Sequence, residues 1–197
     1  MFGDRNTAKE KWKYVKIDEI AEVGVGVVIK PSQYYTSENE GIKAFRSLNV
    51  GEMKIKDGDW VYFSKEGNET NKKSILKEGQ LLIVRSGYPG TACVVTEEYA
   101  GCNAIDVIIA TPNKEKINPL YMCAFTNFEH GKTQIINGTG GAAQQHFNVG
   151  AYKNMWIAVP PLELQNEFAQ FIQQVDKLKF GMEQSLKELE ENFDSLM

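Results

Sequence analysis

Residues 137–147 read NGTGGAAQQHF: three glycines and two alanines, with Gln144, Gln145 and His146 at the far end. Three chemistries suit such a stretch. It cradles a phosphate on backbone N–H groups, it shapes a catalytic turn, or it lies against a polymer and reads it. The phosphate cradle of a nucleotide-binding loop needs a Lys-Ser/Thr pair after the glycines, and GTGG has none. A catalytic turn needs partners. The sequence holds two histidines, His130 and His146, and no GxSxG elbow to supply a nucleophile. GVGV at 24–27 offers two glycines of a dinucleotide fingerprint, but neither a third nor a following helix. Cys93, Cys102 and Cys123 are odd in number and lack CxxC spacing, which argues against a disulfide framework and against a zinc site. They read as buried, reduced thiols of a cytosolic protein. Two histidines and scattered carboxylates give no metal-ligand spacing either. The chain reads as having no catalytic residues, metal or cofactor of its own, and a loose surface connection that caps the next element stays open beside the third chemistry.

A body of short strands is expected to position these groups. Strand patterns occur in GVGVVI (24–29), DWVYFS (59–64), GQLLIVRS (79–86), TACVVT (91–96), AIDVIIATP (104–112) and MWIAV (155–159). The tetrapeptide GYPG (87–90) predicts a tight reversal between the third and fourth of these. INPLYMCAFTNF (117–128) predicts a helix, with Asn118 as its cap and Pro119 in its first turn. SKEGNETNKKS (64–74) reads as a polar loop. After Pro160-Pro161 the period changes. Phe171, Val175, Leu178, Met182, Leu186, Leu189, Phe193 and Leu196 are spaced three or four apart, one apolar stripe on one long helix. The fold class expected is α+β: a mixed, mostly β domain with short helices over residues 1–160, then a long C-terminal helix over 161–197. A helix with one apolar stripe does not stand alone in water. Its Val175, Leu178, Met182, Leu186, Leu189 and Phe193 call for a second helix. No other segment of the chain is long enough, so a homodimer or a partner protein is implied. Gly181 and the spacing around Met182 depart from a strict heptad.

The net charge of −4 at first argues against a nucleic-acid partner. Its distribution changes that, because a body that is neutral overall has room for a basic face. Residues 151–197 hold four Lys and eight Asp+Glu, so the whole −4 lies in the tail and residues 1–150 are neutral. The longest apolar runs, such as QLLIV and DVIIA, are far too short to cross a bilayer, and the N-terminal stretch lacks the apolar core of a signal peptide.

The order of features resembles the specificity subunits of type I restriction–modification enzymes. The residues that carry the resemblance are GIKAFRSLNV (41–50), KEGQLLIVRSGYPGTACVV (77–95) and the run from INPLYMCAF through YKNMWIAVPPLELQ to VDKL (117–178). Arg85, Gly87 and Gly90 match a strand ending in Arg-x-Gly-x-x-Gly. PPLELQ with the helix behind it is the more specific signal. The resemblance implies a target recognition domain followed by a helical spacer. It implies sequence-specific binding of double-stranded DNA, methyltransferase and restriction subunits as partners that bring the catalysis and the methyl donor, and a cytoplasmic location. Such subunits usually carry two recognition domains and two spacers. This chain holds one of each, and its opening MFGD resembles the end of a spacer, so a half-length subunit or the C-terminal half of a longer one is expected. The competing reading is a protein-interaction module that assembles through the tail helix alone.

Under that resemblance, Gly138, Thr139 and Gly140 let backbone approach DNA, and Gln144, Gln145 and His146 meet it, since Gln pairs bidentately with adenine. Arg85, Ser86 and Tyr88 sit at a tight turn and offer donors to guanine or phosphate; the alternative for Arg85 is pairing with a nearby carboxylate. Lys30, Tyr34 and Tyr35, with Lys43 and Arg46, would form a positive, aromatic lobe. Lys65, Lys72 and Lys73 in the polar loop would hang into a groove, although Glu66 and Glu69 beside them weaken the case.

Overall fold

The computed structural model describes residues 12–138 and 147–194. Its organising element is an antiparallel four-stranded sheet in the order β2-β9-β6-β7, from Ala21–Val25 (β2), Val107–Pro112 (β9), Leu81–Val84 (β6) and Ala92–Val94 (β7). Side chains alternate across a strand, and here both faces are covered. Leu81, Ile83, Ile108 and Ala110 enter one core, and Leu82, Val84, Val107 and Ile109 enter another. That is why LLIV reads as an unbroken apolar run rather than an alternating one.

Three helices cover the first face: α2 (Pro119–Asn127), α3 (Glu129–Gly138) and α4 (Val149–Lys153), with α1 (Lys65–Thr70) elsewhere on the body. Asn118 caps α2 as expected, its side chain accepting from the N–H groups of Leu120 and Tyr121 at 2.9 and 3.3 Å. Against the second face lies a sheet of Tyr35–Thr36 (β3), Val61–Phe63 (β5), Ile42–Phe45 (β4) and Asn103–Ala104 (β8), in which β8 runs parallel to β4. Phe45 carries the contact between the two layers, edge-on to Trp60 and Tyr99. A third, two-stranded sheet pairs Lys13–Lys16 (β1) with Trp156–Val159 (β10).

The long helix α5 (Leu162–Asp194) leaves from the end of β10. Gln165, fully buried, ties its first turn to the body. Its side chain accepts from the Asn118 N–H at 2.8 Å and donates to the carbonyls of Pro160 at 2.8 Å and Lys116 at 3.3 Å. Phe168 meets Tyr121 edge-on. The PPLELQ signature is thus a joint: the prolines release the chain from β10 and the glutamine takes up the carbonyls left there. Further along, Phe180 borders a cleft with Met53 and Lys54 of the body. The expected stripe is exposed, from 41% at Val175 to 73% at Met182.

Several expectations need correction. SKEGNETNKKS is not a loop. Ser64 accepts the Gly67 N–H at 3.0 Å and starts α1, and Lys72–Ser74 form a 3-10 turn. The strand at GVGVVI ends at Val25, beyond which Val27 makes a single bridge to Ile105. AIDVIIATP is two strands, because Asp106 between them adopts a left-handed conformation (φ 49°). Asn137 and Gly138, read as the start of the glycine-rich stretch, close α3.

Candidate nucleic-acid interface

β6 runs out of the sheet at Arg85, whose backbone carbonyl accepts the N–H of Phe147 at 2.9 Å. The Arg85 guanidinium bends back. Its Nε donates to the Phe147 carbonyl at 3.4 Å, and Nη1 pairs with Asp106 at 2.5 Å. The arginine side chain is 12% exposed, that of Asp106 43%. The carboxylate partner weighed as the alternative for Arg85 is therefore present. It is supplied by the one acid that interrupts an apolar run, and the left-handed backbone of Asp106 turns it out of the strand.

Phe147 is fully buried in the first core, edge-on to Tyr152. A side chain placed on Gly138 would lie 3.6 Å from the Phe147 ring. The last residue before 139–146 and the first after it therefore stand side by side, and both are fixed. Gly131 lets α3 approach α2 so closely that a Cβ there would sit 2.1 Å from the Phe125 carbonyl oxygen. The Gln134 amide takes both backbone groups of Trp156, accepting its N–H at 2.8 Å and donating to its carbonyl at 2.9 Å, as a neighbouring strand would.

The reversal between β6 and β7 packs onto the same place. Gly87 and Gly90 both have φ 86°, a conformation that costs glycine little. Gly90 lies against Ile135 of α3, where a Cβ would come within 2.3 Å of its Cδ1. The Gly90 N–H donates to the Val84 carbonyl at 3.0 Å, and the Val84 N–H to the Thr91 carbonyl at 2.9 Å. At the tip stands Tyr88, 84% exposed.

The structure thus gathers Arg85, Ser86, Tyr88 and Gly138 at one end of the central sheet. Thr139, Gly140, Gln144, Gln145 and His146 lie outside the described residues. The remaining candidates belong to another part of the body. Lys30 opens a 3-10 turn of Pro31–Tyr34, and Tyr34 and Tyr35 pack around Phe63 on the second layer. Lys43 is half-buried: its Nζ lies 4.9 Å above the Trp60 ring and 5.4 Å above Tyr99, and it pairs with Asp57 at 3.2 Å. The Trp60 indole N–H, donating at 2.6 Å, and then Lys43 hold the Asp57 carboxyl below its usual range. Arg46 donates to the Asp59 carbonyl, and its Nε is buried with no hydrogen-bond partner among the described residues. Lys65, Lys72 and Lys73 are exposed on α1 and the turn after it. Tyr35 and Lys43 lie on strands of one sheet, β3-β5-β4, with Lys30 at the turn before it, and α1 packs against Tyr34.

Asp106, Ile135 and Phe147 went unread in the sequence, and one of them had a signal: an aspartate inside an apolar run. The thiols are held protonated by burial, Cys93 pushed up to about 12 and Cys102 and Cys123 also raised. Among the described residues no group of three or more His, Cys, Asp or Glu could hold a metal ion, and no helix is long and apolar enough to cross a membrane.

The chain matches the type I restriction modification DNA specificity domain over residues 9–191. Solved structures share its fold, among them these three. A chain from a study of complex assembly and conformational transition of the type I R-M system has a TM-score of 0.69 at 16% identity, over 94% of this chain and 43% of that one. The HsdS subunit from Thermoanaerobacter tengcongensis has 0.60 at 16%, over 85% and 38%. The type I restriction-modification S subunit from M. genitalium has 0.55 at 12%, over 93% and 44%. This chain spans less than half the length of each. With the matched region running from before β1 almost to the end of α5, the chain belongs to the type I restriction modification DNA specificity domain family.

Proposed function

We propose that this chain reads a DNA sequence for a type I restriction–modification assembly and has no catalytic role itself. Residues 1–160 act as the target recognition domain, and residues 161–197 as the spacer helix. The observation that carries this reading is the convergence at one sheet end. The Tyr88 turn, Arg85 and both fixed ends of the 139–146 segment meet there, in a member of a DNA specificity family. Rigid stems beneath a short glycine-rich segment suit recognition, because contacts specify a sequence only when held in place. In this reading Gln144, Gln145 and His146 meet base edges. Arg85 acts from beneath, holding the exit of the segment to the sheet. Lys30, Lys65, Lys72 and Lys73 contribute phosphate contacts on the flank.

Methyltransferase and restriction subunits are the proposed partners, in the cytoplasm, and the methyl donor binds the former. The α5 stripe pairs with another helix, from a second copy of this chain or from another spacer. The test is to express the chain with a methyltransferase subunit in a host that lacks DNA methylation, and to map methylated bases by sequencing. The expected result is one recurrent sequence that appears only when this chain is present. Methylation that is sequence-independent, or unchanged without the chain, would overturn the reading.

A further inference from the structure

We infer that Tyr88 is a wedge: its ring inserts into the base stack of the recognised duplex and opens one step. The inference rests on the DNA-reading function proposed above and adds to it a chemistry of base faces rather than base edges. The first ground is exposure. Tyr88 is 84% exposed, and no hydrogen bond or ring contact links its side chain to a described residue. The second is stiffness. The turn is pinned by the Thr91 N–H donating to the Tyr88 carbonyl at 3.2 Å and by Gly90 pressed onto Ile135. Pro89 follows and holds Tyr88 to extended conformations. A ring on a preorganised tip loses little freedom when it is buried, so burial returns most of its hydrophobic free energy.

The third ground is electrostatic. The nearest arginine, Arg85, is paired with Asp106, so the tip presents a ring rather than a cluster of charge. A π-face matches a nucleobase face, and apolar or aromatic side chains placed between base pairs unstack them. A phosphate contact would instead use the phenol hydroxyl, which Phe lacks.

The experiment uses the complex reconstituted with its methyltransferase subunit. The probes are duplexes of the sequence found by methylation mapping, with 2-aminopurine placed at each adenine in turn and, separately, a mismatch beside the responding position. Wild type is expected to raise 2-aminopurine fluorescence at one step. Tyr88→Phe should behave as wild type. Tyr88→Ser should abolish the rise and weaken binding roughly tenfold, the scale of one base–aromatic stack. On the mismatched duplex, already partly unstacked, the Tyr88→Ser loss should shrink. A wild-type complex with no sequence preference would overturn the DNA-reading function and this inference together. A selective wild type whose Tyr88→Ser variant gives the same fluorescence and affinity would overturn the wedge alone. So would a Tyr88→Phe variant as weak as Tyr88→Ser, which would assign the contact to the hydroxyl.

Discussion

Arg85 shows how far a single residue's chemistry can be read in advance. Its place beside a turn was legible from SGYPG after an apolar strand. Its partner was not, because Asp106 is 21 positions away and meets it only through a left-handed kink between β8 and β9. The pairing sets an expectation for Arg85→Ala. The change removes hydrogen bonds made by a charged group to Asp106 and Phe147, and since Asp106 is partly in water the loss should be modest, about 1–2 kcal/mol. Thermal denaturation should register it, and Arg85→Lys should not restore it, a point charge being a poor substitute for a planar fork. A variant as stable as wild type would mean the pair holds nothing. The cysteines give a second test at this scale. Burial raises the Cys93 thiol from its ordinary 9.0 to about 12 and raises Cys102 and Cys123 as well. A pKa raised on folding gives stability that is present below the unfolded value and falls as pH climbs toward the folded one. Stability should therefore decline above about pH 9. At pH 8 iodoacetamide should label the native protein slowly and the unfolded protein at all three sites, as mass spectrometry would show.

Elements were legible where burial follows the local pattern and illegible where a distant contact decides. LLIV, MWIAV and the capped helix after Asn118 carry their own signals. α3 does not: EHGKTQIING is polar and contains two glycines. It is a helix because Gly131 lets it touch α2 and Gln134 completes the edge of β10, facts no local window holds. Gly131→Ala should therefore destabilise, although alanine is the better helix former. Its Cβ would meet the Phe125 carbonyl at 2.1 Å, and the overpacking should cost about 1–3 kcal/mol by denaturant titration. Gln165 is the corresponding test of the joint before α5. Gln165→Ala leaves the Asn118 N–H and the Pro160 carbonyl without their partner, at about 1–3 kcal/mol. Amide exchange in the first turns of α5 should quicken with it. Unchanged exchange would show that Phe168 alone anchors the helix.

At the scale of the molecule, the body is joined to a long helix whose apolar stripe is exposed. Each large apolar side chain buried from water stabilises by about 1.5–3 kcal/mol, so six along the stripe suffice to drive association. Met182→Lys with Leu186→Lys should abolish self-association or partner binding in sedimentation while the body's melting transition stays in place. An unaltered mass would place the interface elsewhere. The neutral body has its own consequence: with few phosphates neutralised, this chain alone should bind DNA weakly, with a shallow salt dependence. The face proposed to meet DNA was half legible. Turn, arginine and glycine-rich segment were each visible in the sequence, but the meeting of the first two with Gly138 and Phe147, the segment's flanks, depends on Phe147 pairing with Arg85 across 62 positions. The most direct measurement is methylation of a panel of single-base variants of the target by the reconstituted complex, comparing wild type with a chain in which Gln144, Gln145 and His146 are replaced by serine. The account predicts altered preference at particular base positions, with the melting temperature unchanged. Identical preferences across the whole panel would contradict it.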